Sequence, residues 1–300
     1  MYLYHFGLVE LPFTLTPNTD FYLPMAMHSE ALAVLTTALK TGEGFIKVIG
    51  EVGTGKTLLC RKLLNELPHH FVTAYIPNPY LNPDELRRAV AVELGVKQAQ
   101  RMSLQLLTQR IQSRLLELHA MGHSVVLILD EAQALPAESL EALRLFTNLE
   151  TEKRKLLQVV LFAQPELDFR IAATEFRQLK QRITFSYKLR PMNAKEVQQY
   201  IHHRLLVAGY RGAKLFPQGV CKKIATKSQG IPRIVNILCH KILMLAYGQG
   251  HFNITTTLLN LAIKDTESVN ITSPTKNIAI VALTLIIIGG VFYYAVMVNS

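Results

Sequence analysis

Three hundred residues, 49% of them apolar and 18% charged, exclude a chain too short or too polar to bury a core and leave room for one large or two modest domains. Three widely spaced cysteines (Cys60, Cys221, Cys239) with no CxxC pair exclude a disulfide scaffold and a cysteine metal framework. A formal net charge of +10 points to an anionic partner, either nucleic acid or the anionic leaflet of a membrane, although the basic residues are dispersed rather than gathered in one run.

The opening residues 1–27 contain Pro12, Pro17 and Pro24 and are expected to be irregular, wrapping the domain that follows. Residues 29–40 read as a helix with Leu32, Leu35 and Leu39 on one side. An apolar run at 45–49 predicts a buried strand, and residues 58–67 predict a helix stopped by Pro68. Between them stands Gly50-Glu51-Val52-Gly53-Thr54-Gly55-Lys56-Thr57, which fits the phosphate-binding pattern GxxxxGK[ST] in its required strand–loop–helix setting. Glycines there let the backbone turn its N–H groups inward, and the positive end of the following helix, from Lys56 through Leu58, adds to the attraction for phosphate oxygens. Lys56 supplies a point charge for the β- and γ-phosphates, and the Thr57 hydroxyl is a ligand for Mg²⁺.

Further strands are predicted at 71–76, 124–130, 156–163 and 183–189. They alternate with helices opening at Asn82-Pro83, at 103–120 and at 136–148. Such alternation predicts an α/β fold, a parallel sheet with helices on both faces, over residues 28–190. The run Val125-Val126-Leu127-Ile128-Leu129-Asp130-Glu131 ends an apolar strand in two acids, where α/β sheets bind ligands. Asp130 is placed for the Mg²⁺ shell, and Glu131 to orient the attacking water, so the expected cofactors are ATP and Mg²⁺. After Pro191 only helices are predicted, at 193–207, 217–227, 232–247 and 255–264. They make a small all-α domain at 191–267, followed by a linker at 268–277.

Residues 278–298 are almost wholly apolar and would rise about 31 Å as a helix, the thickness of a bilayer core. Tyr293 and Tyr294 suit an interface, and Lys264 and Lys276 precede the run. The expectation is one C-terminal transmembrane helix. It would hold a single-pass protein in the inner (cytoplasmic) membrane with its catalytic part in the cytoplasm.

Gly50 to Thr57, Asp130-Glu131-Ala132-Gln133, Gln164-Pro165-Glu166-Leu167, Gln178 to Ile183 and Gly230-Ile231-Pro232-Arg233 resemble, in order and spacing, the AAA+ ATPases of general secretion pathway protein A type. So do Phe6-Gly7-Leu8, Pro12-Phe13 and His28 to Leu32. The resemblance covers residues 1–248 and implies a P-loop NTPase core of AAA+ type with a helical lid. It also implies ATP-driven work on a cell-envelope machine, a type II secretion system or a type IV pilus. Its short form resembles the ATPases of mannose-sensitive haemagglutinin pilus biogenesis. Wall binding, which longer members carry, is expected to fall to a separate peptidoglycan-binding partner.

Gln164 is implied as a sensor of the γ-phosphate or water, and Arg233 as a lid residue that reaches the phosphates. Arg182, or Arg177 five residues earlier, is implied as an arginine finger for a neighbouring subunit, which requires a homo-oligomer, expected as a ring. Phe21 and Tyr22 are open between adenine contact and core packing. A DNA-linked ATPase, such as a transposition helper or initiator-like loader, is the alternative function. Nucleic acid is disfavoured because no DNA-binding domain is predicted after the lid.

Overall fold

A computed structural model describes residues 2–16, 18–146, 149–150 and 155–266. Its helices are α1 (Tyr2–Phe6), α2 (Ala26–Thr41), α3 (Lys56–Glu66), α4 (Pro83–Glu93), α5 (Leu104–Ala120), α6 (Ala137–Phe146), α7 (Glu166–Ile171), α8 (Arg177–Arg182), α9 (Ala194–Val207), α10 (Gln218–Ser228), α11 (Pro232–Gly248) and α12 (Thr256–Lys264). Its strands are β1 (Phe45–Ile49), β2 (Phe71–Ile76), β3 (Ser124–Leu129), β4 (Leu157–Ala163) and β5 (Phe185–Lys188).

The strands form one sheet in the order β2-β3-β4-β1-β5, and every pairing is parallel. Side chains alternate between its faces, as a pleat demands. Val125, Leu127, Leu129, Val159 and Leu161 enter one apolar core with α4, α5 and α6. Val126, Ile128, Val160 and Phe162 enter the other with α2 and α3. Burial on both faces explains why β3 and β4 read as unbroken apolar runs. Truncating Phe162, which is fully buried, would cost about 3–5 kcal/mol.

A third core joins α9, α10, α11 and α12. The opening segment belongs to it: Tyr2, Phe6, Leu8, Phe13 and Phe21 pack among those helices. Asn193 begins α9 with a capping box, its side chain accepting from the Glu196 N–H while Glu196 accepts from the Asn193 N–H. Such a cap fixes where the chain leaves the sheet and is worth about 1 kcal/mol.

One expectation is corrected. Among the described residues no helix is long and apolar enough to cross a membrane, and residues 278–298 lie outside the described residues. Over the described residues the fold class is therefore the parallel-sheet α/β fold with its helical domain, with no transmembrane helix among them, and the single-pass inner-membrane location is not retained.

Candidate nucleotide-binding site

The sheet order brings three strand ends together. β4 lies between β1 and β3, with Ile49 opposite Ala163 and Leu129 opposite Leu161. The residues that follow, Gly50, Gln164 and Asp130, therefore leave one edge of the sheet side by side. The Gly50 N–H donates to Ala163 O at 3.1 Å, which ties the loop to the end of β4.

The loop from Gly50 to Thr57 folds on its own backbone. The Thr54 hydroxyl donates to Glu51 O at 2.8 Å, and Lys56 Nζ donates to Gly50 O at 2.7 Å and Glu51 O at 3.0 Å. Gly53 and Gly55 take φ values of +81° and +94°, which side-chain-bearing residues rarely adopt. Gly55 caps α3, so the free N–H groups of that helix face the loop's concave side. Lys56 is only 4% exposed. Burial lowers its pKa, and the nearby Glu131, Asp130 and Glu51 oppose the shift.

Asp130 is 2% exposed. Burial raises its pKa, while hydrogen bonds from the Thr57 hydroxyl and the Glu131 N–H pull it back. A hydroxyl and a carboxylate in contact beside a phosphate loop are hard oxygen donors. They fit Mg²⁺, which takes one or two protein ligands and completes its shell with phosphate and water. Among the described residues no cluster of three or more His, Cys, Asp or Glu could hold a metal without such help.

Glu131 adopts φ +52° and ψ +38°, left-handed for a residue with a side chain. That backbone turns its carboxylate away from Asp130's direction and toward the end of β4. There Gln164 Nε2 donates to Glu131 Oε2 at 3.0 Å, and Gln133 Nε2 donates to the same oxygen. Gln133 Oε1 accepts from the Gln164 N–H at 3.0 Å, and the Gln133 carbonyl accepts from Arg170 Nη1 at 2.7 Å. Two amides therefore aim one carboxylate. Gln133 belongs to the Asp130-Glu131-Ala132-Gln133 motif that carries the resemblance, but the sequence assigned it no role of its own.

Across the loop stands the helical domain. The Arg233 N–H, in the first turn of α11, donates to Gly53 O at 3.3 Å, and its side chain lines the cleft with that of Gln164. The cleft continues past Val52 and Leu58 to Thr14, Tyr22, Tyr200, Arg204 and Asn236. Phe21 and Tyr22 both line it; Phe21 is 3% exposed and packs under the Arg204 guanidinium at 4.6 Å. Arg204 is buried and donates to Pro12 O, Tyr200 Oη and Thr14 Oγ1. Asn236 accepts from Tyr200 Oη and donates to Thr14 O. Sequence reasoning missed this network because an arginine within an amphipathic helix reads as a surface residue. It also missed His28, which is 3% exposed and whose Nε2 contacts Thr54 O at 3.3 Å.

Arg182 is not brought to this cleft. It ends α8, two residues before Thr184, whose N–H donates to Phe45 O. Phe45 is the far end of β1 from the loop, about 17 Å away by strand rise. Burial and then the Arg182 charge lower the pKa of neighbouring Lys155. Arg177 opens α8 and is exposed.

Comparison with known proteins agrees with this geometry. A family model described as an AAA domain matches residues 39–171. General secretion pathway protein A of Aeromonas hydrophila is 40% identical over 269 residues, 90% of this chain. The chain spans about half the length of that relative, 49%. Among solved structures, CDC6P of Pyrobaculum aerophilum aligns with a TM-score of 0.63 at 17% identity, covering 88% of this chain and 74% of that one. The ORC2 protein of Aeropyrum pernix, in ADPNP and ADP complexes, aligns with a TM-score of 0.60 at 16% identity and the same coverage. At such identities these two likenesses are of fold alone. The chain is thus a relative of general secretion pathway protein A that carries an AAA domain over residues 39–171.

Proposed function

We propose that this chain binds ATP with Mg²⁺ and hydrolyses it to drive assembly of a cell-envelope secretion machine or a related pilus. The observation that carries the catalytic part is the junction of three strand ends, which sets Lys56, Asp130 with Thr57, and the doubly held Glu131 around one loop. Lys56 and the α3 N-terminus bind the phosphates. Thr57 and Asp130 would hold Mg²⁺, which when bound neutralises charge on the β- and γ-phosphates. Glu131 orients and polarises water, and Gln164 fixes the direction of that carboxylate. Arg233 joins the helical lid to the phosphates, so that loss of the γ-phosphate loosens the lid.

Arg182 stands too far from its own loop to serve it and is half-buried at the end of α8, a position compatible with service to a second subunit, which supports a homo-oligomer, most simply a ring. The secretion role draws on the relative of that name, of which this chain spans about half. For the site, the test is Lys56→Ala: it should lose binding of labelled ATP while keeping the parental circular dichroism and melting curve. Unchanged ATP uptake by the folded variant would remove Lys56 from the site. For the role, the Lys56→Ala allele should fail to restore secretion or piliation to a strain lacking the gene. Full restoration would separate the chain from such a machine.

A further inference from the structure

The helical domain carries a second cavity, outside the nucleotide cleft. It lies between α9, α10 and the loop joining them, and holds about 340 Å³, within the size range of ligand and anchor pockets. Ile201, Leu205 and Phe216 form its floor and are buried. Lys195, His202 and Lys214 stand exposed around its rim. On α9, Lys195, His202 and Leu205 recur at helical spacing along one face. Tyr200 and Arg204 project from the opposite face into the nucleotide cleft. One helix therefore walls both cavities.

Charge narrows what fits the second one. Between residues 191 and 265 there are ten Lys or Arg and two acids, so this region carries a surplus of eight of the chain's +10. Both acids are already paired, Glu196 with Arg190 and Asp265 with Lys241. An apolar floor inside a basic rim matches an apolar side chain carried between carboxylates. A phosphate backbone would meet the rim lysines and leave the floor unfilled.

The geometry points to this groove as the docking site for an acidic peptide segment of a partner protein, which inserts one leucine or phenylalanine between α9 and α10. Docking presses on the face of α9 opposite Tyr200 and Arg204, and so reports to the nucleotide cleft. The docking itself stands without the proposed ATPase; only its effect on turnover rests on that function.

The test uses the full chain and fluorescently labelled octapeptides: a central Phe flanked by Asp and Glu, the same Phe flanked by Lys, and a central Ser flanked by Asp and Glu. Anisotropy should rank the first peptide tightest. The double variant Lys195→Glu/Lys214→Glu should weaken it about tenfold, as expected for reversing two rim charges. Leu205→Glu, which places a charge on the floor, should abolish binding; a melting curve is compared with that of the double variant, which alters exposed residues only. The double variant should keep basal ATP turnover within about twofold, since neither lysine touches the nucleotide cleft. Equal binding of the Lys-flanked peptide, indifference to the double variant, or displacement of the bound peptide by duplex DNA at physiological salt would each overturn the assignment. Loss of ATP turnover in the parental protein with peptide ranking intact would refute the ATPase and leave the groove.

Discussion

Gly53→Ala is the sharpest test of whether the lid rests on the phosphate loop. Gly53 has φ +81°, and a Cβ built there lies 2.5 Å from Arg233 Cβ. The left-handed backbone alone costs a side-chain-bearing residue about 1–2 kcal/mol. Arg233 Cβ is a branch-free backbone-proximal atom that cannot swing away, so the first turn of α11 must retreat. Its N–H then loses Gly53 O, now at 3.3 Å, a further ~0.5–1.5 kcal/mol. Stability should fall by about 2–3 kcal/mol, read as a shift in urea midpoint at unchanged slope. Displacing the Arg233 side chain should weaken ATP binding about tenfold, the loss of roughly one charge-assisted contact. A double-mutant cycle with Arg233→Ala separates the two effects. If the clash acts through Arg233, the losses in ATP affinity should overlap rather than add. Full additivity, or a Gly53→Ala protein with parental ATP affinity, would refute the contact between lid and loop.

Three other outcomes are expected. Gln164→Ala removes one of the two amides that aim Glu131 and should lower ATP turnover about tenfold or more with ATP affinity within twofold; a parallel loss of affinity would make Gln164 a binding residue instead. His28 has its pKa lowered by burial, so the folded state resists its protonation. Its contribution is present above the unfolded value of about 6.5 and is lost as pH falls below it. The urea midpoint should therefore drop between pH 7 and pH 5.5, and drop less in His28→Gln, whose amide can still reach Thr54 O; equal slopes would clear His28. Arg204→Met keeps bulk but leaves Pro12 O and Tyr200 Oη without their donor, and should destabilise by about 2–4 kcal/mol and make the first 25 residues the earliest site of proteolysis. An unchanged cleavage pattern would show that Arg204 does not hold that segment.

What was legible followed the range of the forces involved. The phosphate loop is local: its glycines and Lys56 act within one turn, so their spacing alone marks them. β3 and β4 were legible because strands buried on both faces must be apolar throughout. The order of the strands was not, since pairing β4 between β1 and β3 joins residues more than a hundred positions apart. α7 and α8 went unseen because six residues hold less than two helical turns and show no period. The opening segment was expected to wrap the sheet domain, yet Tyr2, Phe6 and Phe13 bury among the C-terminal helices. That packing depends on surfaces some two hundred residues away, as does the role of Arg204. The expected span at 278–298 lies outside the described residues, and among those no helix is long and apolar enough to supply one.

The proposed ATPase depends on Glu131 activating water at a bound ATP. Glu131→Gln keeps the size of the side chain and removes its charge. The purified variant, incubated with γ-labelled ATP and Mg²⁺ and separated by gel filtration, should carry uncleaved ATP at near-stoichiometric level while the parental protein releases labelled phosphate. A glutamine variant that releases phosphate at the parental rate, or a folded parental protein that takes up no ATP, would contradict it.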